Sequence, residues 1–237
     1  MKEDTVITAV NSAGYPAPAA ITADPVVFAP WEGRLAVLLA PRRETPYEGQ
    51  WALPGGFMNP EEEPEETAQR KLTEKTGIGS VYLEQLATYG SPRRDPRGWI
   101  PSVAYLALTH AAVLREKESE ARWFPADQLP DLAFDHARII ADGIDRLRGK
   151  LWYSNIAVTL LPRRFTLVEA RRLYEAISDV RYEVSNFRRT LEQAEIIRPT
   201  EEVQQGLTGR PARLYEFVEQ QPSWSSRRSR IPGTLRD

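Results

Sequence analysis

The chain of 237 residues contains no cysteine. Disulfides, thiol nucleophiles and thiolate zinc sites are therefore excluded, and the composition suits a reducing compartment. Histidine is almost as scarce: His110 and His136 are the only two. Neither stands in a recognisable pattern with a serine, so an acyl-transfer triad has no support. Long apolar runs are also missing. The longest, such as Leu35 to Ala40, are far too short to span a bilayer. Met1-Lys2-Glu3-Asp4 is acidic and lacks the apolar core of a signal peptide. A soluble, cytoplasmic protein with no membrane partner is expected.

What is present suits a globular fold. Hydrophobic residues make up 41% and charged residues 27%, enough for an ordinary core. The length fits one large domain or two ordinary ones. The formal net charge of -2 hides an asymmetry. From residue 151 onward there are 14 arginines, no lysine and 11 acidic residues, a balance of +3. Residues 1–150 carry 17 basic and 22 acidic residues, a balance of -5. Arginine is the better fork for phosphate and guanine edges. A solvated helical surface is the ordinary explanation, and an anionic partner for the second part is the alternative.

The first part alternates strand and helix signals. Pro25 to Pro30 and Leu35 to Ala40 read as buried strands joined by a turn at Trp31-Glu32-Gly33. Tyr82 to Tyr89, Pro101 to Thr109 and Ala121 to Phe124 read as further strands. Ser91 to Gly98, rich in Pro and Gly, is a loop. Residues 134 to 147 follow a helical period, and Gly149-Lys150 suits a helix end and a domain join.

The second part begins differently. Thr166-Leu-Val-Glu169 is a capping box, so a helix should follow with Leu167, Ala170, Tyr174 and Ile177 on one face. Residues 184 to 195 give a second helix with Phe187, Leu191 and Ala194 inward. Ile196 to Pro199, a loop holding Gly206 and Gly209, and Leu214 to Val218 complete a two-stranded hairpin. Helix, short turn, helix, hairpin is the order of a winged helix. The expected domains are 1–150, 151–222 and a flexible basic tail over 223–237.

The most specific signal is Trp51-Ala-Leu-Pro-Gly-Gly56, with Glu62 six residues later and Arg70 eight beyond that. Leu72, Glu74, Gly77 and Ile78 follow, with Pro64 at the helix start and Gly77 at its end. This spacing resembles the Nudix box of pyrophosphohydrolases. Positions 71, 74 and 75 share one helix face. In hydrolases of that family, glutamates there hold a divalent metal against a pyrophosphate, which needs hard oxygen ligands. Here they are Lys71, Glu74 and Lys75, so the face shifts from about -3 to about +1 and repels cations. No metal ligands and no catalytic residues are expected. The box is either retained packing, or a pocket in which the lysines meet a diphosphate directly. A third reading is metal held by the acidic run Glu61, Glu62, Glu63, Glu65 and Glu66, but the run sits at the helix start, where it favours the macrodipole, and reads as mainly structural.

Other candidates are weaker. Arg93, Arg94 and Arg97 read first as surface charge, with a reach to bound phosphate as the alternative. Asp135-His136 reads as a helix cap, with ligand contact as the alternative. Trp51 and Tyr105 are candidates for stacking, although core packing suits each. The ligand set is Trp51, Gly55, Gly56, Arg70, Lys71, Glu74, Lys75, Arg97 and Tyr105.

In the helix over 184–195, Ser185 and Arg189 lie opposite Phe187 and Leu191, flanked by Asn186 and Arg188. Arg181 precedes it, and Arg210 and Arg213 fall in the hairpin. Such a set suits major-groove entry with a wing on the phosphate backbone. These seven residues form the expected DNA contact.

Taken together, the chain resembles the Nudix-related transcriptional regulators of NAD metabolism, the NrtR family. The stretches that carry the likeness are Trp51 to Gly77, Ser102 to Ala107, Leu132-Ala-Phe-Asp-His136, Asn186-Phe-Arg-Arg189 and Gly209 to Tyr215. The resemblance implies an α/β (α+β) Nudix-like sandwich followed by a winged helix-turn-helix. It implies a homodimeric repressor of NAD synthesis or salvage genes on a palindromic operator in double-stranded DNA, released by ADP-ribose. No cofactor is required; ADP-ribose is the effector. The rival is a metal-dependent ADP-ribose pyrophosphatase with an accessory C-terminal domain.

Overall fold

The structure is a computed structural model that describes residues 20–110, 119–205 and 211–223. The described residues form two compact units. One comprises those within Met1–Phe28, Val37–Ala107 and Ala112–Gly143; the other, those within Ala29–Ala36, Leu108–Ala111 and Ile144–Asp237.

The first apolar runs form β1 (Thr22–Trp31) and β2 (Arg34–Pro41), turned by Glu32 and Gly33, both at positive φ. β1 is buried on both faces over its first eight residues, so it reads as a continuous run rather than an alternation. β3 (Trp51–Ala52), β5 (Tyr82–Tyr89) and β6 (Ser102–Leu108) extend a sheet of order β3-β2-β1-β6-β5. β4 (Gly56–Phe57) pairs with β1, and β7 (Arg122–Pro125) with β2.

Helix α1 (Pro64–Thr76) obeys its sequence signals. Pro64 opens it, Glu63 and Glu66 form the capping box, and Gly77 closes it at φ 72. Its buried face carries Thr67, Ala68, Leu72 and Thr76. Ala68 packs with Ala23 of β1 and Tyr105 of β6. That contact fixes the rotation of α1 and leaves positions 71 and 75, three and seven residues after Ala68, beside the Gly55-Gly56 turn.

Helix α2 (His136–Tyr153) corrects two expectations. It begins after Phe134, which takes φ 55 and stands outside it. It also runs through Gly149-Lys150 instead of ending there. Leu147, Lys150 and Leu151 are buried, so the inward stripe continues past the glycine. A glycine inside a helix costs only about 1 kcal/mol, which that burial offsets.

In the second unit, Thr166 caps α3 (Leu167–Ser178) and Glu183 caps α4 (Val184–Gln193). β9 (Ile197–Gln204) and β10 (Ala212–Phe217) form the hairpin. The expected pair of strands is in fact three: β8 (Phe165–Thr166) joins β10, giving the order β8-β10-β9. Phe165 and Phe217 pack with their rings tilted and centroids 4.9 Å apart. Tyr174 and Tyr182 flank Phe187 at 5.3 and 5.5 Å, which locks α4 onto α3. Gly206, Gly209, Arg210 and residues 224–237 of the expected tail lie outside the described residues.

Candidate functional site

The Nudix-box helix brings two different sets of side chains together. On one side Arg70 is a clamp. It donates to both oxygens of Glu62 at 2.6 Å, to Glu74 Oε1 at 3.0 Å and to the Phe57 carbonyl at 3.3 Å. Glu62 also accepts from the Thr67 hydroxyl at 2.7 Å and the Asn59 N–H at 3.0 Å. The Arg70 guanidinium holds the Glu62 carboxyl far below its usual range, to about 2. Glu62 is thus spent on tying the loop to the helix.

The other side is the face of Lys71, Glu74 and Lys75. Lys71 lies over Gly56, where an added Cβ would meet its Cδ and Cε at 2.9 Å. Its ammonium donates to Glu74 Oε2 at 2.8 Å. Held by Lys71 and Arg70 together, the Glu74 carboxyl is pulled below its normal pKa. Lys75 reaches back to the Gly55 carbonyl at 2.6 Å. As a residue Lys75 is exposed, but its ammonium end is desolvated, and that lowers its pKa. Asp24 is buried behind Gly55 and accepts from Thr22 at 3.0 Å and Ser102 at 2.5 Å. A Cβ on Gly55 would fall 1.8 Å from Asp24 Oδ1, so only glycine fits.

The donor set does not suit a divalent metal. Of the three carboxylates that the box calls for on this face, two are ammonium groups and the third is already neutralised by two cations. Among the described residues, no group of three or more His, Asp or Glu side chains is placed to hold a metal ion.

Lys71 and Lys75 border a cleft of about 590 Å³, which lies within the range for a nucleotide-sized ligand. Gly55, Gly56 and Arg97 of the expected ligand set also line it. Trp51, Arg70, Glu74 and Tyr105 do not. Trp51 packs edge-on against Phe124 at 4.7 Å, and Tyr105 belongs to the core beside Ala68. Their apolar surface is used within the fold.

The cleft also holds residues that the sequence reading passed over. Phe134 stands in its wall with Arg42 over its ring at 4.7 Å and Tyr47 edge-on at 4.8 Å. An aromatic residue at φ 55 is rare and strained, a state found where function demands a particular side-chain direction. Arg97 is fixed by Asp95 at 2.7 Å and lies over the Phe57 ring at 5.0 Å. Phe57 is 41% exposed. Burial, with Arg97 nearby, lowers the pKa of Arg42. Arg94, expected on the surface, is instead buried against Asp135 at 2.8 Å and the Ile100 carbonyl at 3.0 Å. The Asp135 side chain therefore holds Arg94, while its backbone carbonyl receives the N–H groups of Arg138 and Ile139. The stretch Leu132 to His136 was the one available signal for this wall.

In the second unit, Glu183 caps α4 by accepting from Ser185 N at 2.9 Å and Asn186 N at 2.6 Å. Arg189 donates to Asn186 Oδ1 at 2.7 Å, and Arg188 stands 3.9 Å from Glu192. Arg181 has a side chain 92% exposed, and Ser185, Arg188, Arg189 and Arg213 are exposed as well. Buried Glu216 on β10 accepts from Arg164 and from Arg198, the latter at 2.7 Å. Glu175 accepts from Tyr182 N and Arg171, each at 2.9 Å, bracing the turn before α4.

Two family models match this arrangement: a NUDIX domain over residues 22–143 and the NrtR DNA-binding winged helix domain over residues 157–217. The "ADPR responsive transcriptional repressor NtrR" of Acinetobacter baylyi is 36% identical over 224 residues, 91% of this chain and 88% of the relative. The chain belongs to the NrtR family. The crystal structure of Shewanella oneidensis NrtR complexed with a 27mer DNA matches with a TM-score of 0.74 at 37% identity, covering 83% of this chain and 93% of that one. An ADP-ribose pyrophosphatase of Methanocaldococcus jannaschii is 39% identical over 108 residues, 45% of this chain and 64% of that enzyme. The repressor and the NrtR structure cover most of this chain, winged helix included, whereas the pyrophosphatase match covers less than half of it. No helix among the described residues is long and apolar enough to cross a membrane.

Proposed function

We propose that this protein is a DNA-binding transcriptional repressor whose Nudix unit binds ADP-ribose without hydrolysing it. The observation that carries the reading is the Lys71/Glu74/Lys75 face. One ammonium sits on the Gly55 carbonyl and the other neutralises the remaining carboxylate. A metal-dependent hydrolase needs carboxylates there to collect divalent cations and activate water. A binding protein needs positive charge for the diphosphate, which Lys71, Lys75, Arg42 and Arg97 supply. Phe134 and Phe57 offer ring faces for the base.

The winged helix reads an operator through Ser185, Asn186, Arg188 and Arg189, with Arg181, Arg210 and Arg213 as further contacts. The protein acts in the cytoplasm as a homodimer on a palindromic site, since two-fold symmetry in the reader calls for it in the DNA. The genes controlled are those of NAD synthesis or salvage. ADP-ribose releases DNA by binding one state of the dimer more tightly than the state that fits the operator.

A gel-shift titration tests this directly. A sequence-dependent shift of duplex DNA, relieved by ADP-ribose, is expected. Arg188→Ala and Arg189→Ala should weaken the shift and leave ADP-ribose affinity unchanged. Release of AMP and ribose 5-phosphate from ADP-ribose with magnesium or manganese would overturn the reading in favour of the pyrophosphatase.

A further inference from the structure

His136 is the first residue of α2 and only 3% exposed, yet its ring borders the cleft. Its Nδ1 accepts the Leu53 N–H at 3.0 Å. Leu53 is itself buried, between β3 and the Gly55-Gly56 turn. This bond fixes both the ring and its tautomer. A nitrogen that accepts a backbone N–H carries no proton, so in the neutral ring the proton is on Nε2. Among the described residues the Nε2–H has no hydrogen-bond partner, and Nε2 is not among the sealed, unsatisfied buried atoms. Asp24, whose charge acts most strongly on the ring, takes the Thr22 and Ser102 hydroxyls at Oδ2 and makes no hydrogen bond to the imidazole among the described residues.

We infer that His136 donates a hydrogen bond from Nε2 to a phosphoryl oxygen of the nucleoside diphosphate bound in the cleft, and so acts as a specificity-determining ligand contact. The inference rests on the reading of this cleft as a nucleotide site. A donor that faces the cleft without a protein acceptor would be left unsatisfied when a ligand seals it from water, so the site favours a ligand that brings an acceptor. The cations Lys71, Lys75, Arg42 and Arg97 on the same walls make that ligand anionic. The imidazole differs from them in kind. It is directional, and it adds no charge, because burial holds its pKa down to about 4. The lysines set how much negative charge is taken, and His136 sets where an oxygen must lie.

The test uses the full-length protein and calorimetric titration with ADP-ribose, ADP and inorganic pyrophosphate. In His136→Asn, Oδ1 can take the place of Nδ1 and keep the Leu53 bond, but no donor reaches the position of Nε2. Affinity should fall about tenfold or more with the melting temperature nearly unchanged. His136→Gln places an amide N–H near Nε2 and should recover part of the loss. In the unmodified protein, nitrogen–proton correlation spectra should show the Nε2–H tautomer, with its resonance moving on saturation. Wild-type affinity in His136→Asn would overturn the inference. So would equal losses in both variants with matching falls in stability, or an Nε2–H resonance indifferent to ligand. That resonance decides the matter if a variant fails to fold. Binding of ADP or pyrophosphate without ADP-ribose, still weakened in His136→Asn, would sustain the contact and overturn the ADP-ribose reading. Failure of all three to bind would overturn both.

Discussion

The ammonium of Lys75 lies 2.6 Å from the carbonyl oxygen of Gly55, a hydrogen bond from one end of the Nudix box to the other. The side chain that stands where the box calls for a carboxylate therefore sets its own positive charge against that carbonyl. The double substitution Lys71→Glu with Lys75→Glu should free that carbonyl and present three carboxylates with Glu74. Manganese binding, followed by electron paramagnetic resonance, should appear, together with slow release of AMP from ADP-ribose. Either single substitution should give neither, because one ammonium stays in the face. A double variant blind to manganese would show that more than these two positions separates sensor from hydrolase.

Gly55 is confined by the carboxylate behind it. Gly55→Ala would drive a methyl group to 1.8 Å from Asp24 Oδ1 and 2.5 Å from the Ala23 carbonyl. Backbone at β1 cannot yield cheaply, so urea unfolding should show a loss of about 1–3 kcal/mol or more. Gly79→Ala is the matched control. Nothing stands within 4 Å of its added Cβ, and its effect should stay within about 0.5 kcal/mol.

Glu175 should matter to DNA binding without touching DNA. Its buried carboxylate holds the Tyr182 N–H, Arg171 and, at 3.3 Å, Arg181. Removing it in Glu175→Ala strands a backbone donor and loosens the turn that aims α4. A stability loss of about 3 kcal/mol is expected from the broken buried pair. Operator affinity should fall with it, measured by fluorescence anisotropy, while ADP-ribose titration of the folded protein stays unchanged.

Stability should fall on acidification in two stages that point the same way. His136 titrates near 6.5 when unfolded and about 4 when folded, because burial disfavours its charged form. Between those values the unfolded chain binds a proton that the folded one refuses, so stability drops as pH falls, by roughly 3 kcal/mol in total. Glu62 titrates near 4.5 unfolded and about 2 folded. Its contribution is complete above 4.5 and is lost as pH falls towards 2. Melting curves from pH 7 to 2 should show both stages. His136→Asn should flatten the first and Glu62→Gln the second.

Much of this was legible in the chain. Pro64 and Gly77 bound α1 because each fits a helix terminus and little else. Lys71 and Lys75 stood out because a fixed spacing demanded carboxylates there. The extent of α2 was not legible, since a glycine punctuates sequence more strongly than it disrupts a helix packed on both sides of it. β8 was too short to show any alternation. The cleft wall was hidden for a different reason: Phe134 departs from helical backbone just where periodicity would continue it. Trp51 and Tyr105 show the converse. An aromatic ring suits stacking and packing equally, and only its neighbours decide.

Glu183 has a bearing on how such a protein grips nucleic acid. Its carboxylate occupies the first free amides of α4 and places negative charge at that terminus. A DNA phosphate is therefore denied the helix-end seat that many readers use. All neutralisation falls to the guanidinium groups, each of which displaces condensed counterions from the duplex. Operator affinity in this protein should thus depend steeply on ionic strength, with a slope that counts arginines.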